Sequence, residues 1–368
     1  MQIIKPTKPV LPKYEDYIEE IKSIWETGAM TNNGPKLQKF KAALVDYTGG
    51  SNIDLFVNGH AALLTALKSL DLHGEVITSP FTFVSTTNAI VQAGLTPVFS
   101  DIDSTYNLDP NKIERHITEK TCAIVTPHIF GIPCDVESIQ KIADQYGLKV
   151  IYDGAQAFGT KIGNQHIGNF GDITMFSFHA IKVFNSIEGG MLMYRNSELQ
   201  QKFELYRNFG INYNTADVEL CGYNAKMNEF QAAMGLVNLP GLETEIKKRC
   251  RLAEAYRWAF AKITGLSTFS YQKDIRYNFA YYPVRVDEKA FGHSRDELYS
   301  YLQENGVLTR KLYNQLTCDN AIYKNQYSRD VSYAESVAES ALDFPIYGDL
   351  SEENINYITE VILQFVKR

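Results

Sequence analysis

The sequence is poor in the residues that build disulfides and metal sites. Its five cysteines are an odd number among 368 residues, lie far apart and form no CxxC pair. The seven histidines are also dispersed, with no HxH or HExxH spacing that would place two imidazoles on one metal ion. We therefore expect buried, reduced thiols and no metal site.

Excess positive charge and long apolar runs are lacking as well. The chain carries 36 Lys and Arg against 43 Asp and Glu, a formal net charge of -7, which argues against binding a phosphodiester backbone. No stretch approaches the roughly 20 consecutive apolar residues of a membrane helix, and the N-terminal segment contains no apolar signal core. These absences predict a cytoplasmic protein that binds neither nucleic acid nor membrane.

Apolar residues are plentiful, at 45% of the chain, which is enough for a large domain and a smaller one. From about residue 55, short and nearly continuous apolar runs alternate with helical patterns, which is typical of βαβ units. Strands that are apolar on both faces need helices on both sides. We therefore predict an α/β fold with a mostly parallel sheet of seven strands, at residues 55–57, 75–78, 97–99, 123–126, 150–152, 173–178 and 190–194.

The second half of the chain has a different pattern, which begins after the Asn-Leu-Pro-Gly segment at 238–241. We place a domain boundary there, with a large domain at 1–238 and a smaller α+β domain at 239–368. Helices are predicted on both sides of this boundary, at 61–70, 84–93, after Pro110, 135–146, 243–262, 294–305 and after Ser351.

Polar residues that directly follow a strand are candidate site residues, because ligands of open α/β sheets bind beyond the carboxyl ends of the strands. The Asn-Gly-His-Ala segment at 58–61 leads into a helix whose free amides could hold a phosphate, although a plain turn explains the segment equally well. Phe83 follows the second strand, where its ring could stack on a planar ligand or pack in the core.

Asp153 directly follows a buried strand, where an unpaired carboxylate is costly and a cationic partner is expected. A protonated pyridine nitrogen is one such partner, because the carboxylate preserves the ring as an electron sink. A helix N-cap or a structural ion pair is the alternative.

Lys182 ends the apolar segment 175–182 and precedes the Glu-Gly-Gly segment at 188–190. Most lysines are solvated surface charges, but apolar neighbours favour the neutral amine that attacks a carbonyl carbon. Ser177 could bind a phosphate, and the two glycines let the backbone turn close to a ligand. For His179, a core or hydrogen-bonding role is favoured over that of a catalytic acid.

Together these segments resemble the DegT/DnrJ/EryC1/StrS family of nucleotide-sugar aminotransferases, and the resemblance covers nearly the whole chain. Residues 31–35, Thr-Asn-Asn-Gly-Pro, look like the family's N-terminal loop, and residues 222–233 are similar to its subunit-crossing segment. The resemblance implies the aspartate-aminotransferase type I fold, pyridoxal phosphate as cofactor, and a homodimer whose active sites are shared between the subunits.

The resemblance also implies roles for individual residues. Lys182 would bond to the cofactor and act as general acid and base, Asp153 would hold the pyridine nitrogen, and Phe83 would stack on the ring. Gln156 would contact the side of the ring that carries the hydroxyl group. The phosphate would be bound by Gly59, His60 and Ser177, joined by Asn224 of the partner subunit. Many members have Thr or Ser in place of His60, so a backbone amide is the expected phosphate contact at this position.

The His-Ala-Ile-Lys segment at 179–182, with the Glu-Gly-Gly segment after it, looks like members that aminate C4 of a keto sugar. Members that dehydrate their substrate have histidine in place of Lys182. The resemblance thus implies transfer of the amino group of L-glutamate to a dTDP-4-keto-6-deoxyhexose. The product would be dTDP-4-amino-4,6-dideoxyglucose, for O-antigen or another surface glycan.

Several features stay open at this stage. Arg310 and Tyr313 are candidate substrate contacts at the diphosphate, because arginine suits phosphate geometry, and a surface role is the alternative. The keto sugar could instead be linked to UDP or GDP, or react at C3. An ordinary amino-acid aminotransferase and a cofactor-binding regulator without turnover are the remaining alternatives.

Overall fold

The computed structural model describes residues 3–367 of the chain. These residues form twelve α-helices: α1 (Tyr14–Thr27), α2 (Pro35–Thr48), α3 (Gly59–Ser69), α4 (Val84–Gln92), α5 (Val136–Tyr146), α6 (Leu199–Arg207), α7 (Glu229–Asn238), α8 (Leu242–Phe260), α9 (Glu288–Phe291), α10 (Arg295–Glu304), α11 (Ser332–Ser340) and α12 (Glu352–Val366). They also form the strands β1 (Ile53–Phe56), β2 (Glu75–Thr78), β3 (Thr96–Ser100), β4 (Thr121–Pro127), β5 (Lys149–Asp153), β6 (Lys161–Ile162), β7 (Gln165–His166), β8 (Ile173–Ser177), β9 (Gly190–Tyr194), β10 (Ile211–Asn212), β11 (Asp217–Val218), β12 (Leu266–Thr268), β13 (Ile275–Arg276), β14 (Tyr282–Val286), β15 (Arg329–Asp330) and β16 (Ala341–Phe344).

The central sheet has eight strands in the order β1-β9-β8-β5-β4-β2-β3-β15. Neighbouring strands run parallel, except that β9 is antiparallel to both β1 and β8. All seven strands predicted from the sequence are present in it. The eighth is β15, a two-residue strand from the C-terminal half that pairs with the end of β3. A strand of two residues carries no periodic apolar pattern, so the sequence gives no signal for it.

Helices cover both faces of the sheet, which confirms the predicted α/β architecture. Strand β8 illustrates the reason, because consecutive buried side chains point to opposite faces. Phe176 packs in the core that also contains Phe40 of α2 and Ile139 of α5. Met175 packs in the opposite core, with Leu63 of α3 and Ile90 of α4. Burial on both faces is what the continuous apolar strands required.

The ends of α5 agree with the sequence prediction, whereas the helix predicted after Pro110 does not form. The Asp135 side chain accepts a hydrogen bond from the Ser138 amide at 3.0 Å and caps the start of α5, and Gly147 ends it with φ of 67°. After Pro110 the chain makes two 3-10 turns, Pro110–Lys112 and Glu114–His116, instead of an α-helix. The backbone becomes extended at Ile117, which ends the second turn before β4 begins at Thr121.

The C-terminal part forms a smaller unit around the antiparallel sheet β12-β14-β16, against which α8, α10 and α12 pack. Ile4 from the other end of the chain pairs with Val307 and lies in the same core. The first turns of α8, through Leu242 and Ile246, pack in a core of the large unit instead. The domain boundary between residues 238 and 239 therefore stays a prediction. Ile4, which precedes it, packs in the core of the smaller unit, and Leu242 and Ile246, which follow it, pack in a core of the large unit.

Within residues 3–367, no helix is both long and apolar enough to cross a membrane. The same residues nowhere bring three or more His, Cys, Asp or Glu side chains together as a metal site would require. The five cysteines are free thiols, of which Cys134 and Cys318 are buried.

Candidate active site

A cleft of about 500 Å³ lies at the carboxyl ends of β1, β2, β4, β5 and β8. The large unit contributes the residues that follow these strands, and the smaller unit covers the cleft with Tyr281, Arg310 and Tyr313. The cleft is thus where the general rule for open α/β sheets places a ligand. Nine of the ten predicted site residues line it: Gly59, His60, Phe83, Asp153, Gln156, Ser177, Lys182, Arg310 and Tyr313.

Asp153 lies at the end of β5 and is only 6% exposed. Its carboxylate accepts hydrogen bonds from the Thr86 hydroxyl at 2.7 Å and from the Ala155 amide at 3.0 Å. No cationic side chain pairs with it in the part of the chain that the structure describes. A buried carboxylate that faces a cleft without a cation is costly, and a protonated ring nitrogen in the cleft would relieve this cost.

Lys182 lies on a closed loop between β8 and β9. The neck of this loop is held by a hydrogen bond from the Phe178 amide to the Gly189 carbonyl at 2.8 Å, and the Lys182 amide donates to the His179 carbonyl at 2.9 Å. The Lys182 side chain lines the cleft, and among residues 3–367 no carboxylate forms an ion pair with its Nζ. The amine is therefore available for a ligand in the cleft.

The loop can approach the start of α3 only because position 190 is a glycine. A Cβ atom on Gly190 would lie 2.2 Å from the Asn58 carbonyl oxygen, a distance at which the backbone would have to move. Ile187 on the same loop has φ of 70°, a strained value for a β-branched residue. The loop that carries Lys182 is thus held in place by close packing rather than by its own backbone preference.

The start of α3 forms a cradle for an anion. The Asn58 side chain caps the helix by accepting from the Ala61 amide at 2.8 Å, while the Gly59 and His60 amides have no acceptor within residues 3–367. A Cβ atom on Gly59 would lie 2.9 Å from Cβ of Ser177, so the glycine lets the Ser177 hydroxyl approach these amides. Free amides at a helix N-terminus beside a hydroxyl group suit a phosphate.

The His60 side chain is turned toward α4. Its Nδ1 lies 2.9 Å from the Ser85 hydroxyl, and its Nε2 lies 3.1 Å from the Gln92 side-chain oxygen. This agrees with the expectation that a backbone amide is the phosphate contact at position 60. Ser85 itself lines the cleft and was missed at the sequence level, because it lies inside a helix rather than directly after a strand.

Phe83 and its neighbour Phe81 have opposite environments. Phe81 is fully buried, whereas Phe83 is 65% exposed and lines the cleft just before α4. An exposed ring that faces a cleft leaves its face free for a planar ligand. The structure therefore disfavours the core-packing alternative for Phe83.

Gln156 and Tyr313 form one network across the two units. The Gln156 oxygen accepts from the Phe130 amide at 2.7 Å, and its NH₂ group donates to the Tyr313 hydroxyl at 2.5 Å. Burial raises the pKa of Tyr313, which keeps its hydroxyl protonated. Tyr313 and Phe130 both have positive φ, of 56° and 59°, so both backbones are held by their surroundings. This network fixes one wall of the cleft.

Arg310 faces the cleft but is already paired. Its Nε and Nη2 donate to one oxygen of the buried Asp343, at 2.9 and 2.6 Å, and the guanidinium carbon lies 5.0 Å from the centre of the Tyr281 ring. Burial lowers the pKa of Arg310 and the Asp343 carboxylate raises it, and the net direction is upward. Its Nη1 has no acceptor in the described residues, so one edge of the guanidinium group can still bind an anion.

His179 and Glu188 lie on either side of Lys182 along the loop, and both line the cleft. The His179 Nε2 atom is 3.4 Å from a Glu188 carboxylate oxygen, and both side chains are almost half exposed. The His179 Nδ1 accepts from the Ile181 amide at 3.3 Å. His179 is thus a hydrogen-bonding residue, as the sequence favoured, and it lies in the cleft rather than in the core.

Asn224 is the one predicted site residue that does not line the cleft. It is exposed and pairs with Asn208 through an isolated β-bridge. The prediction was that it acts in the site of the partner subunit, and its position outside its own cleft is compatible with that prediction without testing it.

His128 is a further cleft residue that the sequence analysis missed. It directly follows β4, so the same rule that selected Asp153 would have found it. Its ring stacks on Tyr152 at 4.5 Å, and its Nδ1 accepts from the Cys134 amide at 3.1 Å. Burial lowers the pKa of His128 to about 3, so the ring is neutral at physiological pH.

The cleft fits pyridoxal phosphate on three grounds. It offers a free amine at Lys182, a buried carboxylate without a cation at Asp153, and unpaired helix amides at Gly59 and His60. A phosphorylated pyridine aldehyde carries the complementary groups, namely a carbonyl carbon, a basic ring nitrogen and a phosphate.

Comparisons with known proteins agree with this fit. The model of the DegT/DnrJ/EryC1/StrS aminotransferase family matches residues 13–363. A dTDP-4-amino-4,6-dideoxy-D-glucose transaminase of Shigella dysenteriae is 39% identical over 97% of each chain, and one of Escherichia coli is 38% identical over 98% of each chain. The crystal structure of DesI in the presence of its TDP-sugar product superposes with a TM-score of 0.95, at 29% identity, covering 100% of this chain and 94% of that one.

These matches also confirm the expected fold, since Helicobacter pylori PseC, an aminotransferase, superposes with a TM-score of 0.93 at 26% identity, covering 100% of each chain. The cofactor of the family is pyridoxal phosphate, which agrees with the groups found in the cleft. The chain therefore belongs to the DegT/DnrJ/EryC1/StrS aminotransferase family and is a pyridoxal-phosphate-dependent aminotransferase.

Proposed function

We propose that this aminotransferase moves the amino group of L-glutamate to C4 of a dTDP-4-keto-6-deoxyhexose and forms dTDP-4-amino-4,6-dideoxyglucose. The observation that carries the proposal is the position of Lys182 and Asp153 in one cleft, beside an anion cradle and under the partly free Arg310. The two curated relatives with this activity, which match this chain over nearly its whole length, support the choice of substrate. The product would serve O-antigen or another surface glycan.

Asp153 and Lys182 have different roles in the transfer. When bound, the cofactor supplies a ring that accepts the electron pair released at the carbon next to the transferred nitrogen. Asp153 keeps a proton on the ring nitrogen, and the Thr86 and Ala155 hydrogen bonds hold this carboxylate in place. The Lys182 amine would move the proton from the α-carbon of glutamate to the cofactor carbon that carries the nitrogen. In the second half of the cycle it would move a proton from that carbon to C4 of the sugar.

We also propose that Arg310 and Tyr313 bind the diphosphate of the sugar nucleotide. The free Nη1 edge of Arg310 and the protonated hydroxyl of Tyr313 are hydrogen-bond donors on the roof of the cleft. A doubly charged diphosphate needs donors of this kind in a partly buried site. The paired edge of Arg310 keeps the guanidinium group in a fixed orientation for this contact.

A homodimer with shared active sites forms part of the same proposal. Residues 208–224 expose large apolar side chains, with Phe209 49%, Tyr213 77% and Val218 62% exposed. Exposed apolar side chains grouped on one segment are typical of a surface that another chain covers. Asn224, on the same segment, would reach the phosphate in the cleft of the partner subunit.

The test measures the two half-reactions separately. L-Glutamate should change the absorbance of the bound cofactor without any sugar present, and dTDP-4-keto-6-deoxyglucose should restore the original spectrum. The matched UDP and GDP keto sugars serve as controls for the nucleotide. No spectral change with glutamate would refute the donor, and faster restoration by the UDP or GDP sugar would refute the dTDP substrate.

Lys182→Ala tests the role of the lysine. This variant should bind pyridoxamine phosphate, which needs no bond to the lysine, and it should show no turnover. Turnover at the wild-type rate would contradict the assignment of Lys182 as the group that moves the proton.

A further inference from the structure

A second hydroxyl group lines the cleft near the start of α3, where a histidine contacts it. Ser85 is the second residue of α4, lines the cleft and contacts Nδ1 of His60 at 2.9 Å. His60 is the second residue of α3, so this contact joins the starts of the two helices that face the cleft. The other ring nitrogen contacts Gln92, the last residue of α4.

The direction of the Ser85 hydroxyl follows from the tautomer of His60. A serine hydroxyl has one hydrogen and two lone pairs. If Nδ1 carries no hydrogen, Ser85 donates to it, and oxygen lone pairs face the cleft and repel an anion. If Nδ1 carries the hydrogen, it donates to Ser85, and the serine hydrogen is free to point into the cleft.

The Ser177 hydroxyl is oriented in the same way, but by a backbone amide instead of an imidazole ring. The Ser177 hydroxyl oxygen accepts from the His179 amide at 3.4 Å, so its own hydrogen remains free for a ligand in the cleft. An amide nitrogen always carries its hydrogen, whereas an imidazole nitrogen carries one only in the right tautomer. In the structure the Gln92 oxygen faces Nε2 at 3.1 Å, an arrangement in which a neutral ring carries its hydrogen on Nε2. A half-turn of the carboxamide exchanges its oxygen and its NH₂ group. The NH₂ group then donates to Nε2, and the hydrogen of the ring is on Nδ1.

We propose that His60 is a positioning residue that acts through Ser85. The ring donates from Nδ1 to the Ser85 oxygen, and the Ser85 hydroxyl then donates to the phosphate monoester of the cofactor. The phosphate is thus held by the Gly59 and His60 amides and by the hydroxyls of Ser177 and Ser85. The proposal concerns only the binding of the cofactor, so it does not depend on which sugar is the substrate.

The first test compares two ligands that form no bond to Lys182, pyridoxamine phosphate and pyridoxamine, titrated into the cofactor-free protein and followed by ligand fluorescence. Ser85→Ala should raise the Kd of pyridoxamine phosphate about tenfold, the effect of losing one hydrogen bond to a charged group. The Kd of pyridoxamine should change by less than about twofold, because it has no phosphate. Ser104→Ala, at an exposed serine outside the cleft, is the matched control.

The second test separates a positioning role of His60 from a structural one. Asparagine places an NH₂ group close to where histidine has Nδ1, whereas glutamine places it close to Nε2. His60→Asn should therefore retain the affinity for pyridoxamine phosphate to within about threefold, and His60→Gln should lose about as much as Ser85→Ala. In the double variant His60→Gln with Ser85→Ala, the loss should be no greater than for Ser85→Ala alone.

Three results would overturn the proposal. The first is an unchanged Kd of pyridoxamine phosphate in Ser85→Ala. The second is an equal loss of affinity for pyridoxamine, which indicates a general disturbance of the cleft. The third is an additive loss in the double variant, which means that His60 does not act through Ser85. Thermal unfolding of each cofactor-free variant checks that the fold is intact.

Discussion

Asp153→Asn should affect stability and activity in opposite directions. In the cofactor-free protein Asp153 is a buried carboxylate with two hydrogen bonds and no cation within residues 3–367. An asparagine of the same shape keeps both contacts, since its oxygen can accept from Ala155 and its NH₂ group can donate to the Thr86 hydroxyl. Thr86 can in turn donate to Thr82, which lies 3.1 Å away. The substitution removes a desolvated charge without leaving a polar group unpaired.

The expected magnitudes are large enough to measure. Removing the charge should raise the free energy of unfolding of the cofactor-free protein by about 1 to 2 kcal/mol. Catalysis should fall about a thousandfold, because attraction between unit charges about 4 Å apart is worth roughly 4 kcal/mol at an effective dielectric constant of about 20. A cofactor ring that loses its proton loses its capacity as an electron sink.

Asp54→Asn is the matched control. Asp54 is equally buried, but it pairs with Arg207 at 2.8 Å and accepts from the Tyr194 hydroxyl at 2.6 Å. Removing this charge leaves the mostly buried guanidinium group of Arg207 with only the more distant and exposed Glu204, at 3.7 Å, as an ion-pair partner. The free energy of unfolding should therefore fall by about 3 kcal/mol. The residue lies outside the cleft, and glutamate should still react with the bound cofactor.

The assays are urea unfolding of the cofactor-free proteins and single-turnover absorbance changes with L-glutamate. If Asp153→Asn destabilises the cofactor-free protein as much as Asp54→Asn does, Asp153 is a structural residue and the reasoning fails. A single-turnover rate within tenfold of wild type would equally contradict its role at the ring nitrogen.

Three further predictions concern other parts of the molecule. The pKa of His128 is about 3 in the folded protein and about 6.5 when unfolded, so the unfolded chain binds more protons below pH 6.5 and the free energy of unfolding falls as the pH drops toward 3. In urea unfolding of His128→Phe, the free energy of unfolding should change with pH less steeply, by about 1.4 kcal/mol per pH unit. Mixing inactive Lys182→Ala with weakened Asn224→Ala should restore about a quarter of wild-type activity if the sites are shared. Half of the dimers are then mixed, and each mixed dimer has one site with an intact Lys182 and an intact Asn224. No recovery after confirmed subunit exchange would refute the shared site. Gly190→Ala should lower the free energy of unfolding by about 2 kcal/mol or more, because its Cβ meets a backbone oxygen at 2.2 Å, whereas Gly241→Ala, with nothing within 4 Å, should be neutral or slightly stabilising in the same assay.

Much of the fold follows from local patterns in the sequence. Continuous apolar runs located the seven main strands, and caps such as Asp135 and Gly147 located the helix ends. These signals are local, because the burial of a strand and the start of a helix depend on residues a few positions apart. The segment after Pro110 was wrongly predicted as an α-helix, because no local feature of its sequence distinguishes an α-helix from two 3-10 turns.

The sequence also determined the chemistry of the site, because Asp153 and Ser177 end strands of the sheet and the Lys182 loop follows one. Only the tertiary structure decided how these groups are oriented. The His60–Ser85, Thr86–Asp153 and Arg310–Asp343 contacts join residues from 25 to 67 positions apart in the chain. Such contacts depend on how helices pack across the sheet and how the smaller unit covers the cleft, and no periodic pattern encodes them. The residue types fix which bonds can be made, and the packing fixes which atoms meet.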